Sequence, residues 1–324
     1  MARRRKFISH DSVQLTPMTA FDGPALEFNF PEMKVGIAEY EEGPTGCTVF
    51  HFPKGVSTAV DIRGGSVGAS ETGYGWYHAI CFAGGSLYGL EAALGVRAEL
   101  LALQDYSINW ENIPLVSGAI IWDWRGRNNA IYPDMQLGRA ALRAARSGVF
   151  ALGPRGAGRS ANVGGGSGLG VRESSGQGAA FRQIGRTRIA LFTVVNALGA
   201  IVNREGQVVR GNLDPSTGNR LHLRDRVHRR SGKSTRSIPS RENTTLTLVV
   251  TNRKLDAGSL HQLAKQVHSS MAQAIQPFHT QFDGDILYAV TTNEVTTKTL
   301  DEFDIGFIAS ELAWDAVLTS FSEG

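Results

Sequence analysis

Residues 237–250 read SIPSRENTTLTLVV, and the reading of this stretch decides the fold. Up to Asn243 it is the end of a polar tract. From Thr244 onward Leu246, Leu248 and Val250 alternate with Thr245, Thr247 and Val249, the period-two pattern of a strand with β-branched residues favoured throughout. A strand that starts this abruptly after a long polar tract makes the Asn243-Thr244 junction the point from which the rest of the chain is read.

Downstream of the junction the pattern predicts strand, helix (SLHQLAKQVHSSMAQAI), strand (DILYAVTT) and a last helix (IGFIASELAWDAVLTSF). Upstream, Asp214 to Arg241 is rich in Ser, Gly, Arg and Lys, too polar to order itself as a core element, and is read as a long exposed mobile loop. Before it come the strand runs TRIALFTVVNALGAIVN and GQVVRGN. Further back, LVSGAIIWDW reads as a strand, RGRNN as a turn and QLGRAALRAARSG as an amphipathic helix. His78 to Leu103, almost uncharged in its first half, reads as one long helix whose Gly84, Gly85 and Gly89 imply close packing, since each costs up to ~1 kcal/mol in an isolated helix. The first third alternates strands with Gly- and Pro-marked turns. Strands and helices come in blocks, which favours an antiparallel or mixed sheet with helices outside over a doubly wound parallel sheet.

The 324 residues, 42% hydrophobic and 19% charged, contain no apolar run approaching 18, so a membrane-spanning chain is not expected. MARRRKF is basic without an apolar stretch behind it, which reads as no secretory signal and a cytoplasmic protein. Basic residues gather in ARRRK and in Arg224 to Arg241, but no aromatic residue interleaves either run. Both are read as solvated segments, and no nucleic-acid partner is expected. Cys47 and Cys81 stand in apolar settings and are read as reduced core residues. No zinc spacing occurs, and the glycine-rich GPRGAGRSANVGGGSGLGVRESSGQGAAF lacks GxxxxGK[ST] and a strand-turn-helix GxGxxG, so neither metal nor nucleotide cofactor is expected.

Three features carry chemistry when joined. Cleavage between Asn243 and Thr244 would leave a residue with a hydroxyl nucleophile and an α-amino group. That amine titrates near 7.7 to 8.0 and is partly free base at neutral pH, able to take the proton of its own Oγ. The Asn196 amide at a strand end is a neutral donor for an oxyanion. Asp283 and Asp285, one residue apart, leave extended backbone on the same face and can hold the ammonium and hydroxyl. The polar tract would then be the slack tether before the new N-terminus. Singly, each feature has a plainer reading: a strand start, a backbone-capping Asn and a turn.

Long strings of this chain resemble the nylon-oligomer hydrolases, within the wider DmpA/ThnT family of self-processing N-terminal-nucleophile hydrolases. They include YEEGPTG, HAICFAGGSLYGLEAALGV, YPDMQLGRAAL, GQGAAFRQIG, VVRGN, NTTLTLVVTN, AKQVHSSM, QPFHTQFDGD and ASELAWDAVL, spread from Leu26 to Val317. The resemblance implies an α+β fold, a four-layer αββα sandwich, and self-cleavage at Asn243/Thr244. Residues 1–243 become a large chain with a flexible tail over 214–243, and residues 244–324 a small chain in the same structural domain. It implies Thr244 as nucleophile, Asn196 on the oxyanion side and Asp283 and Asp285 as the acidic pair. It also implies a homo-oligomer, a tetramer, acting on small linear amides, with aminopeptidase and pantetheine-type hydrolase as neighbouring activities and a non-catalytic homologue as the alternative. At two positions facing the substrate pocket the chain departs from the resemblance: Gly165 stands where a catalytic Lys is expected and Trp122 where a Tyr is expected. A Trp donates only through Nε1 and accepts nothing.

Overall fold

The structure, a computed structural model, describes residues 7–124, 127–165, 170–224, 243–296 and 299–321. Its main elements are β1 (Lys34–Tyr40), β2 (Thr45–Ile62), β3 (Trp76–Ala83), α1 (Glu91–Leu103), β4 (Val116–Ile120), α2 (Met135–Arg143), β5 (Gln177–Ile184), β6 (Thr187–Asn196), β7 (Thr244–Arg253), α3 (Ala257–Ser270), β8 (Ile286–Val295) and α4 (Glu302–Leu318).

One strand belongs to both sheets. The first half of β2 pairs antiparallel with β1 and β3, and its second half, from Ser57 to Ile62, pairs antiparallel with β8. Between the halves the register against β3 slips from His51 to Val56 around Pro53-Lys54-Gly55. Gly55 has φ +70, a conformation that costs glycine nothing and most residues a good deal. Sheet one therefore runs β1-β2-β3-β4, the last pair parallel, and sheet two runs β5-β6-β7-β8-β2. In sheet two only β7 and β8 are parallel, with α3 as their connection.

Three apolar clusters fill the spaces between four layers. Val35, Phe50, Phe52, Ile80 and Phe82 of sheet one meet Phe192, Val194, Leu246, Leu248, Val250 and Tyr288 of sheet two. The outer face of sheet one, with Cys47, Val49, Ala79 and Cys81, is covered by Ala92 and Val96 of α1 and Leu137 and Ala141 of α2. The outer face of sheet two, with Leu191, Val249, Leu287 and Ala289, is covered by Leu260, Ala264 and Val267 of α3 and Ile308, Leu312 and Ala316 of α4. Each large side chain so buried is worth about 1.5–3 kcal/mol of transfer free energy. Helix, sheet, sheet, helix is the αββα sandwich, and both cysteines are buried and unbridged inside it.

One expectation fails. His78 to Leu103 is not a single helix: its first part is the inner strand β3, a turn follows at Gly84-Gly85 with Gly85 at φ +80, then a 3₁₀ turn over Ser86–Leu90, and α1 begins only at Glu91. β3 is hydrogen-bonded on both sides and buried on both faces, so its sequence is apolar without alternation. Periodicity cannot separate that from a buried helix. The close packing expected of these glycines does occur, a Cβ on Gly85 standing 2.6 Å from Pro133 Cδ and one on Gly89 1.8 Å from the Gly84 carbonyl oxygen. Helix α1 adds Gly95, where a Cβ would stand 2.1 Å from the Met135 carbonyl oxygen. Gly138 answers it on α2, 2.0 Å from that of Ala92.

Of the polar tract, residues 214–224 start with a turn in which the Asp214 carboxylate accepts from Ser216, and Arg220 pairs with Glu173 at 2.8 Å. The remainder of the expected flexible tail, residues 225–242, lies outside the described residues, as does part of the RGRNN turn. Among the described residues no helix is long and apolar enough to cross a membrane.

Candidate active site

Strand parity aims Thr244. It shares a face of β7 with Leu246, Leu248 and Val250, so its side chain enters the space between the sheets, where it is fully buried. Opposite it in the β6–β7 register stands Asn196. Across from it on sheet one the chain leaving β4 carries Trp122, whose backbone N–H donates a long bond of 3.4 Å to Thr244 Oγ1. The nucleophile candidate thus sits where the ends of both sheets converge.

The peptide before it is held at its carbonyl. Thr244 Oγ1 donates to the Asn243 carbonyl oxygen at 2.6 Å, and Gly284 N–H donates to the same oxygen at 2.9 Å. Gly284 is glycine for a steric reason: a Cβ there would stand 2.8 Å from Thr244 Oγ1 and 2.7 Å from the Ser66 carbonyl oxygen. The Asn243 side chain is met by Arg172, whose Nη2 donates to Oδ1 at 3.2 Å and to the Asn162 carbonyl at the same distance.

Asp283 and Asp285 flank Gly284 and have separate tasks. Asp285 Oδ1 accepts Thr245 N–H at 2.7 Å, pinning the start of β7, while Oδ2 lies 3.1 Å from both the backbone N and ring Nδ1 of His279. His279 in turn packs edge-on to the buried His268, whose Nδ1 lies 2.8 Å from Asp61. Asp283 accepts from Leu198 N–H at 3.2 Å and from the backbone and hydroxyl of Thr280 at 3.0 and 2.5 Å. Burial, and then the charge of Asp285, push its carboxyl from 3.8 up to about 6, against those hydrogen bonds. The loop Arg63 to Ser66 lies against this pair so closely that a Cβ on Gly64 would come within 2.2 Å of Asp285 N.

The residues singled out from sequence are therefore together, but not all in their expected postures. Asn196 spends its amide on the scaffold: Nδ2 donates to the Trp122 carbonyl at 2.7 Å and Oδ1 accepts Asn162 N–H at 3.0 Å. Trp122 serves Thr244 through its main chain, and its indole Nε1 donates to the Ser66 carbonyl at 2.7 Å. That division explains how a Trp can stand where a Tyr is expected. Gly165 has φ +71, and a Cβ there would meet Arg172 Cγ at 2.5 Å, so the space expected for a Lys side chain is occupied by the Arg172 stem. The Gly284 N–H and His279 were missed, and so was the contact of Arg172 with the Asn243 side chain. Gly284 and His279 lie inside the quoted QPFHTQFDGD, but a backbone donor has no side-chain signature. Among the described residues no cluster of His, Cys, Asp and Glu fits a metal ion.

The family model described as Peptidase family S58 matches residues 30–322. The chain belongs to this family. Among its relatives are the 6-aminohexanoate-oligomer endohydrolases of Agromyces sp. (strain KY5R) and Paenarthrobacter ureafaciens, each 46% identical over 319 residues, covering 95% of this chain and 89% of theirs. In structure the chain is similar to the L-aminopeptidase D-Ala-esterase/amidase of Ochrobactrum anthropi, described as a variant of the Ntn hydrolase fold, with a TM-score of 0.64 at 16% identity over 93% of this chain and 88% of the other. A β-aminopeptidase of Burkholderia sp. follows, with a TM-score of 0.61 at 16% identity over 92% and 88%. The four-layer sandwich is thus an N-terminal-nucleophile hydrolase fold, and this S58 member is an amide-bond hydrolase.

Proposed function

We propose that Thr244 is the nucleophile of this hydrolase and that the chain frees it by cutting itself after Asn243. The observation that carries the reading is the pair of donors on the Asn243 carbonyl: the Thr244 hydroxyl that would attack its carbon and the Gly284 N–H that would hold its developing negative charge. In the uncut chain Oγ adds to that carbon, the amide nitrogen takes the hydroxyl proton and leaves, and an ester between Asn243 and Thr244 Oγ remains for water to hydrolyse. The released α-amino group then serves as base for Oγ. In this reading Asp285, already bonded to Thr245 N–H, and Asp283 would hold the resulting ammonium.

In turnover Thr244 Oγ attacks a substrate amide, Gly284 N–H receives the oxyanion, the amine takes and returns the proton, and water resolves the acyl-enzyme. The substrates are small linear amides of the nylon-oligomer or peptide-like kind, which the relatives named above support. The two chains remain one domain because β7 and β8 of the small chain lie between β6 and β2 of the large one, and separating them would break two rows of sheet hydrogen bonds. Assembly as a cytoplasmic homotetramer is part of the same reading, with exposed Tyr106, Ile108 and Trp110 offering apolar area for contact.

The test is the purified protein on a denaturing gel. It should resolve into chains of about 26 and about 9 kDa, from 34.9 kDa shared over 243 and 81 of 324 residues, the smaller beginning Thr-Thr-Leu-Thr by Edman sequencing. Thr244→Ala should stay one chain, folded and inactive, and Thr244→Ser should still be cut. A persistent single wild-type band overturns self-processing and favours a binding role, whereas normal maturation of the alanine variant overturns the nucleophile assignment alone.

A further inference from the structure

The side chain before the cleaved bond reports what the acyl side of the site accepts. If Thr244 Oγ attacks first the Asn243 carbonyl and later a substrate carbonyl, as proposed above, then the substrate's acyl chain must follow the path that Asn243 follows in the uncut chain. Along that path the Asn243 Oδ1 is received by Arg172 Nη2 at 3.2 Å. We infer that Arg172 is the specificity-determining residue of the acyl side, and that within the proposed substrate class the site prefers peptide-like acyl groups carrying a second carbonyl oxygen in 1,4 relation to the scissile one over the unsubstituted polymethylene chain of a nylon oligomer. Asparaginyl and succinamoyl groups have that spacing, as do their aspartyl and succinyl acids.

Arg172 is placed for this and does not merely reach it. Its Nη2 is tied to the Asn162 carbonyl at 3.2 Å. Asn162 is fixed in turn by Asn196 Oδ1 on its N–H at 3.0 Å and by its own Nδ2 on the Ser160 carbonyl at 2.7 Å. The stem of Arg172 lies over Gly165, where the absence of a side chain makes room for it. The guanidinium therefore arrives with little rotamer freedom left to lose, which is the condition for a selective contact. A carboxylate in place of the Asn243 carboxamide turns the contact into a charge-assisted bond, roughly twice as strong as a neutral one.

The experiment compares two p-nitroanilides of equal size and shape on the purified enzyme, succinamoyl and 4-methylpentanoyl, the second being the hydrocarbon isostere of the first. Wild type should favour the succinamoyl anilide in kcat/KM by about tenfold or more, the range for a hydrogen bond to a charged group. The succinyl anilide should be at least as good. In Arg172→Met the ratio between succinamoyl and 4-methylpentanoyl should collapse toward one, and Arg172→Lys should restore part of it. A ratio rather than a rate is read, so a general loss of active enzyme in a variant does not imitate the result. A wild-type ratio near one, a ratio unmoved by Arg172→Met, or a two-chain enzyme that cleaves neither anilide overturns the inference while leaving self-processing standing. A single uncut wild-type band with no hydrolysis instead removes the catalytic reading on which the inference rests.

Discussion

Gly284→Ala isolates the backbone donor on which the proposed chemistry depends. The added methyl carbon would stand 2.8 Å from Thr244 Oγ1 and 2.7 Å from the Ser66 carbonyl oxygen, roughly 0.5 Å inside an ordinary C···O contact. Ser66 cannot retreat freely. Its carbonyl receives the Trp122 indole N–H at 2.7 Å and its N–H donates to the Asp283 carbonyl at 2.9 Å. The relief must come from turning the 284 peptide or pushing the Thr244 hydroxyl away, and either motion lengthens a bond to the Asn243 carbonyl. Loss of one oxyanion donor costs about 2.7–4 kcal/mol of activation free energy, so self-cleavage should slow by about 10²–10³-fold. The assay follows the ratio of uncut to cut chain by gel densitometry after synthesis is stopped, with mass spectrometry fixing the cleavage point. Circular dichroism should show the folded αββα sandwich in both proteins. A folded Gly284→Ala chain that matures at the wild-type rate would refute the role given to Gly284.

The Asp283 carboxyl, raised from 3.8 to about 6, is costlier to ionise in the fold than in the unfolded chain. It subtracts stability progressively as pH rises from about 4 to about 6, by about 3 kcal/mol at most at 1.36 kcal/mol per unit. In the uncut Thr244→Ala background, the stability of the Asp283 protein relative to Asp283→Asn should therefore improve as pH falls from 7 to 4.5; urea titrations showing a pH-independent difference contradict the assignment. Gly138→Ala should lower the melting temperature by several degrees. The Cβ would collide with the Ala92 carbonyl at 2.0 Å, and the strain of about 1–3 kcal/mol outweighs the helix propensity gained, up to about 1 kcal/mol. An equal or higher melting temperature in a calorimetric scan would show that α1 and α2 separate at little cost.

The sequence by itself determined the elements whose two faces meet different surroundings, and it singled out the residue proposed to react. Alternation in TTLTLVV gives β7, and it also places Thr244 on the face of Leu246 and Leu248, hence inside the molecule. Helices α2, α3 and α4 are legible from apolar stripes, each begun by an Asp whose side chain accepts a backbone N–H of the first turn. Asp283 and Asp285 are legible as neighbours from their spacing, although they lie ahead of β8 and their carboxylates meet different partners. The strand β3 was not legible, because burial on both faces removes the contrast between water and core that periodicity reports. Nor was the site's inner working. Gly284 N–H and Trp122 N–H are donors that almost every residue carries, and what selects these two is the convergence of two sheet ends. Arg172 lies 71 residues before Asn243, and its meeting with that side chain depends on the β6–β7 register and on Asn162 holding it there. Chemistry that resides in a side chain can be read along the chain, whereas chemistry made by backbone groups and distant partners exists only once the tertiary structure has brought them within hydrogen-bond range.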